Sequence, residues 1–232
     1  MKKDNLTIKI VFKKIWFKMT KNINEKVISH IRYKRLKNRD FTIISNNCFA
    51  GWVYRIYNLP YLSPTVGLFI MPKDYIKLCT NLKYYMNLEL KFINPLYSRY
   101  KNDISSRDDR FGKYPIGLLE DIEIHFLHYK TNEEAKEKWE RRKERINWNN
   151  IIIKFSEQNG ASKEDINEFC NIKQYNNKIC FVATDECNIE KTIQVKEFNK
   201  IGYMLDDTWF ASKYINMTKF LNNINKEIRN IN

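Results

Sequence analysis

Two short apolar runs constrain this chain more than anything else in it: Asn150–Phe155 (NIIIKF) and Ile179–Ala183 (ICFVA). Both are β-branched and near-continuous, the pattern of strands covered on both faces. Between them Ser162 and Asp165 form a capping pattern that opens a helix through Ile166 and Phe169. Strand, helix and strand in that order make a βαβ unit, which belongs in a parallel sheet. The same alternation appears upstream. Phe41–Ile70 (FTIISNNCFAGWVYRIYNLPYLSPTVGLFI) reads as a buried strand, a polar turn carrying Cys48, a short helix, a Pro/Ser loop and a second strand. Thr192–Val195 supplies one more strand, and residues 213–231 a terminal helix. The fold class is therefore α/β, a mostly parallel or mixed sheet with helices on both faces. With 232 residues, 43% of them hydrophobic, the expectation is one α/β domain over 40–232, preceded by a basic helical extension over 1–39.

The intervening segments follow the same logic. Pro72 suits the first position of a helix whose core stripe is Ile76, Cys79, Leu82 and Met86. Residues 94–116 are polar with Pro near both ends, a loop long enough to be a lid or binding loop, or a surface insertion. In GLLEDIEIHFLHYK the alternation from Asp121 to Tyr129 predicts a strand that places His125 and His128 on opposite faces. A helix starts at Thr131 with Glu134 three residues on. It carries Arg142 on its apolar stripe with Ala135, Trp139 and Ile146. That arginine either stacks on Trp139, binds an anion, or buries its stem with its head in water.

Charge is concentrated at one end. Residues 1–40 hold 13 Lys/Arg against three acids (Asp4, Glu25, Asp40), a net +10 of the total +14. Residues 5–20 interleave Leu6, Ile8, Ile10, Val11, Phe12, Ile15, Trp16 and Phe17 with Lys9, Lys13, Lys14 and Lys18. A basic amphipathic helix lying on an anionic membrane is one reading, with the contact running through residues 5–37; a helix docked on the domain is the other. No nucleic-acid motif accompanies the patch, so nucleic acid is not favoured. No run is long and apolar enough to span a bilayer, and lysines interrupt every apolar run near the N-terminus. Five scattered cysteines without C-x-x-C spacing suggest free thiols, a reducing cytoplasm and no zinc site. The six glycines form neither G-x-G-x-x-G nor a Walker loop. The acid pairs Asp108-Asp109 and Asp206-Asp207 form no D-x-D and are expected to be solvated. No metal and no cofactor is therefore expected.

Cys48 is the sharpest candidate nucleophile, because a helix N-terminus favours thiolate and its free amides can hold an oxyanion. His125 and His128 are the candidate bases, oriented by Asp121, Glu123, Asn46 or Asn47. The alternative is a small buried cysteine at a tight turn.

The stretches ISNNCFAGWVYR, NLPYLSPTVGLFI, YPIGLLEDIEIHFLHYK and EEAKEKWERRKERINW resemble a bacterial domain-of-unknown-function family, covering residues 40–200. Members of that family are often labelled exopolysaccharide-biosynthesis proteins, and some acyltransferases. The matching positions include Asn46, Asn47, Cys48, Ser63, Gly67, Gly117, Asp121, Glu123, His125, His128, Trp139, Arg142 and Arg145. Phe49-Ala50 departs from the aromatic-glycine pair that more often follows the cysteine. A looser similarity links the Asn/Cys turn, the F-x-H element and the spaced arginines to a papain-like family. The resemblance implies an acyl- or glycosyltransferase of cell-surface polysaccharide synthesis, acting on a sugar or acyl donor and a polysaccharide precursor. Catalysis would then fall to Cys48 with His128 or His125. Asn46, Asn47, Ser63, Thr65, Trp139, Arg142 and Arg145 would bind ligand. Such an enzyme would be cytoplasmic or peripheral at the inner face of the membrane. A non-catalytic module for glycans or other anions and a papain-like thiol hydrolase are the alternatives.

Overall fold

The run Ile151–Ser156 is the second strand of a four-stranded parallel sheet. The computed structural model describes residues 26–184 and 192–224. Helix α1 covers residues 26–35. It is followed by β1 (Thr42–Ser45), α2 (Phe49–Ile56), β2 (Phe69–Ile70), α3 (Pro72–Thr80), α4 (Leu82–Asn87) and β3 (Lys91–Ile93). Next come α5 (Lys101–Ser105), β4 (Ile116–Leu119), β5 (Ile122–His125), α6 (Asn132–Lys143), β6 (Ile151–Ser156) and α7 (Lys163–Asn171). The described chain closes with β7 (Asn177–Val182), β8 (Thr192–Gln194), α8 (Ala211–Tyr214) and α9 (Met217–Asn222).

The parallel sheet runs β1-β6-β7-β8, with Ile43 opposite Ile152 and Phe155 opposite Cys180. Because side chains alternate across a strand, β6 feeds two cores. Ile151, Ile153 and Phe155 pack with Tyr75 and Leu78 of α3 and with Ile166 and Phe169 of α7. Ile152 joins Phe49 and Val53 of α2 and Met217 and Leu221 of α9. Helices thus cover both faces, as the β-branched runs required. The Ser162 capping box forms, with Asp165 as its partner. Thr131 caps α6 through the Glu134 amide, while the Glu134 carboxylate reaches the Lys130 amide instead.

The strand expected from Asp121 to Tyr129 requires a correction. It lies in a second, antiparallel sheet of order β2-β5-β4-β3, and it ends at His125. After His125 the Phe126 amide bonds to Pro115 and the Leu127 amide turns back to the His125 carbonyl. Strands β2 and β3 have two and three residues, too few to show a period. The β4–β5 turn puts Glu120 in the left-handed region (φ 53°). The helix after Pro72 breaks at Asn81, and the loop 94–116 contains α5. The terminal helix is replaced up to residue 224 by α8 and α9; the remainder of that expectation, like the amphipathic segment 5–20, lies outside the described residues.

Asn46 joins the two sheets. Its side-chain amide donates to the Ser156 carbonyl and accepts from the Ser156 N–H (2.9 and 3.0 Å), extending the β1–β6 ladder by one rung. Its backbone carbonyl accepts from Ile70 of β2 at 3.1 Å. The free edge of β1 is closed by side chains. The Tyr54 hydroxyl bonds Ile43 and Phe41, and Thr65 Oγ1 bonds Ser45 and Ile43; Thr42 Oγ1, on β1 itself, ties the strand to the Leu62 carbonyl.

Gly117 in β4 tests the packing of the antiparallel sheet. A Cβ there would stand 2.6 Å from Leu90 Cδ1 and 2.8 Å from Phe126 Cε2. Gly117→Ala is expected to destabilise the chain by about 1–3 kcal/mol through overpacking. A denaturation midpoint equal to wild type would refute the close packing.

Candidate functional site at the carboxyl edge of the parallel sheet

Strand β1 delivers Asn46, Asn47 and Cys48 to the carboxyl edge of the parallel sheet, where open α/β sheets bind ligands. Cys48 is the N-cap of α2, and its carbonyl accepts the Trp52 amide at 3.1 Å. The first amides of that helix are occupied. The Phe49 N–H donates to Asn47 Oδ1 and the Ala50 N–H to Ser45 Oγ (3.1 and 3.2 Å).

Beneath the turn lies a charged pair that the sequence did not suggest. Lys154, in the middle strand β6, is fully buried on the α2 face, and its Nζ donates to the Asp207 carboxylate. It also donates to Asn47 Oδ1 at 3.0 Å, and lies 4.8 Å from the centre of the Phe49 ring. Asp207, equally buried, accepts from Asn47 Nδ2 at 3.2–3.3 Å. Asn47 Nδ2 donates further to Gln158 Oε1 at 2.8 Å. One asparagine therefore touches the cation, the anion and the helix that starts at Cys48. Asp206, half-buried beside the pair, accepts from the Thr208 amide and hydroxyl (3.0 and 2.6 Å).

These neighbours set the state of the thiol. Burial, and then the Asp206 and Asp207 carboxylates, push the Cys48 thiol up to about 11, against the pull of Lys154 and Arg110. The helix dipole that would favour thiolate is outweighed. His128 lies past the end of β5, exposed, with its backbone N–H on the Gly67 carbonyl at 3.0 Å. The protein wall it rests on and the Arg110 guanidinium lower its pKa, so the neutral imidazole is favoured. The 66–67 segment borders both α2 and His128: a Cβ at Gly51 of α2 would stand 3.1 Å from Val66 Cγ1, and Gly67 accepts the His128 amide.

The other sequence-predicted residues sit elsewhere. His125 is fully buried, stacked on Phe69 at 4.6 Å and flanked by Tyr114 and Tyr100. Neither ring nitrogen has a hydrogen-bond partner among the described residues, and burial pushes the imidazole down to about 3. Glu123 accepts from Ser98 Oγ and the Arg99 amide (2.6 and 2.9 Å) and stands 3.8 Å from His125 Nε2. Asp121 is engaged on the surface by Lys77 and Tyr85, both at 2.7 Å. These two carboxylates fasten the antiparallel sheet to its surroundings.

Ser63 and Thr65 are buried and bond each other at 3.0 Å while securing β1. Arg142 donates to the Val66 carbonyl (3.1 Å) and the Tyr129 hydroxyl (2.5 Å), with Tyr61 under its guanidinium at 4.9 Å. Arg145 reaches the Tyr61 carbonyl at 3.4 Å. Both arginines clamp the 61–66 loop. Trp139 is buried edge-on to Phe126. Among the described residues no three His, Cys, Asp or Glu side chains are grouped to hold a metal ion.

A family model for a domain of unknown function, DUF1919, matches residues 19–225. The chain belongs to the DUF1919 family. An uncharacterized protein of Haemophilus influenzae is 28% identical to this DUF1919 chain over 191 residues, which cover 81% of this chain and 85% of the relative.

Sequence reasoning found the Asn46–Cys48 turn and missed Lys154, Asp207 and Gln158. The available signal was Lys154 itself, the one charge in a run that must be covered on both faces. In the DUF1919 chain, Lys154→Met strands the Asp207 carboxylate in the interior. A loss of about 3–5 kcal/mol is expected, and adding Asp207→Asn should recover part of it. Additivity of the two changes within about 0.5 kcal/mol in denaturant titrations would refute the coupling. Cys48 alkylation by iodoacetamide, followed by peptide mass mapping, is expected to be slow at neutral pH and to rise with pH towards about 11. Rapid labelling at neutral pH would show a thiolate instead.

Proposed function

We propose that this DUF1919 chain is a transferase of bacterial cell-surface polysaccharide synthesis. It would take a sugar or acyl donor at the carboxyl edge of the parallel sheet and pass the group to a polysaccharide precursor. The observation that carries this reading is the Cys48 thiol, half-buried at the start of α2 above the Lys154–Asp207 pair, with the 66–67 segment running from Gly51 of that helix to the His128 amide.

The protonation states set how such a site works. A thiolate–imidazolium pair is not preformed, because burial and carboxylates hold the proton on sulfur. Neutral His128 is in the form that accepts a proton. In the acyl reading, the thiol gives its proton to His128 as sulfur attacks the acyl carbon. The imidazolium then returns the proton to the leaving group. Since the amides of Phe49 and Ala50 are already bonded, donor recognition would rest on side chains; the cationic candidate is Arg110, whose guanidinium is held by Asp108 at 2.8 and 3.1 Å. The cytoplasm, at the inner face of the membrane, is where activated donors and lipid-linked precursors meet. The hydrolase alternative uses the same thiol and base, with water in place of the precursor as the acceptor. The same protonated thiol favours, as a second reading, a non-catalytic module for anionic glycans.

The test is incubation with a panel of nucleotide sugars and acyl-coenzyme A donors. Turnover and intact mass are followed for wild type, Cys48→Ala and His128→Ala. Loss of turnover by at least about 10²-fold in both variants, with donor-induced thermal stabilisation retained, is the expected outcome. Undiminished turnover in Cys48→Ala would remove the thiol from the chemistry. Donor binding without turnover, equal in wild type and Cys48→Ala, would leave the binding module.

A further inference from the structure

Helix α1 presents three aliphatic side chains, Val27, Ile28 and Ile31, away from the protein. At 3.6 residues per turn, Ser29, Arg32, Tyr33 and Leu36 share one side. That side docks: Leu36 is buried and Tyr33 packs in the core that contains α2 and α9. Asn222 of α9 fixes its end, bonding the Lys37 amide and the Arg35 carbonyl at 2.7 and 3.0 Å. Val27, Ile28 and Ile31 fall on the roughly opposite side and are 58%, 40% and 44% exposed. A helix whose sole task is to pack on a domain places its β-branched residues inward. Here three of them face solvent together.

Their surroundings identify the partner. Lys34 and Arg35 lie on the same outer side, and Lys26 flanks it; all three are exposed. Lys37 and Arg39 continue the positive charge just beyond the helix. An apolar stripe ringed by cations fits the boundary between acyl chains and anionic headgroups, where aliphatic side chains insert and basic ones meet phosphate. A water-facing protein partner of acidic character would match the charge but not the stripe. We infer that the outer face of α1, Val27, Ile28 and Ile31 with Lys26, Lys34 and Arg35, docks the chain on an anionic membrane surface.

Docking by this face stands apart from the Cys48 site and from residues 1–25, which carry basic charge of their own. Co-sedimentation of the full chain with phosphatidylcholine vesicles, with and without phosphatidylglycerol, tests it. Wild type is expected to bind the vesicles containing phosphatidylglycerol and to release them as salt rises. The full-length triple variant Val27→Ser, Ile28→Ser, Ile31→Ser should lose at least about tenfold in partitioning. Lys34→Gln with Arg35→Gln should weaken binding most at low salt. Circular dichroism and the denaturation midpoint should not change, because the substituted side chains face solvent. Equal binding by the triple variant would overturn the proposal, as would failure of wild type to bind. So would a concentration-dependent dimer in size-exclusion chromatography that the triple variant abolishes, since the stripe would then cover a second copy of the chain.

Discussion

A charge inside a parallel sheet must be answered, and in this chain Asp207 answers Lys154. The two come from positions 53 apart and meet with both side chains fully removed from water. Desolvation of such a pair is costly, and its attraction offsets that cost only when remaining hydrogen-bond capacity is filled. Asn47 does this from the third side, accepting from the ammonium and donating to the carboxylate. The position of the Cys48 turn therefore depends on electrostatics beneath it as much as on the local preferences of Asn-Asn-Cys. The segment 206–209 is held against the sheet end by the same contact.

This arrangement joins stability to the site. Ser45, Asn46 and Asn47 each complete backbone that would otherwise stay unpaired. Asn46 extends the ladder to Ser156, while Ser45 and Asn47 occupy the first amides of α2. The thiol next to them inherits a buried, carboxylate-rich environment that holds its proton. Chemistry at Cys48 consequently needs a base to arrive or be present, and neutral His128 is the group whose state suits that task.

Much of the parallel half was legible in the sequence. The β-branched runs, the Ser162 cap and the strand-turn-helix at Cys48 are local patterns, and the structure contains them. The antiparallel half was legible only in part: the strands that became β2 and β5 were read, but β3 and β4 were not, and the pairing of all four is settled by neighbours far along the chain. Alternation after His125 continued in the sequence but not in the backbone, which turns at Leu127. Arg142 was recognised as unusual, yet its partners, Val66, Tyr129 and Tyr61, lie 13 or more positions away, and spacing along one helix cannot supply them. Lys154 was read as part of a strand without its facing partner. Asp207 was read as a surface acid, for the same reason.

The outer edge of β1 has a consequence of a different kind. An open strand edge is a template on which a second polypeptide can assemble. Here the Tyr54 and Thr65 hydroxyls occupy that template from within the chain. Protection of this strand against edge-on pairing thus rests on two oxygen atoms, whatever the chain's large positive charge adds.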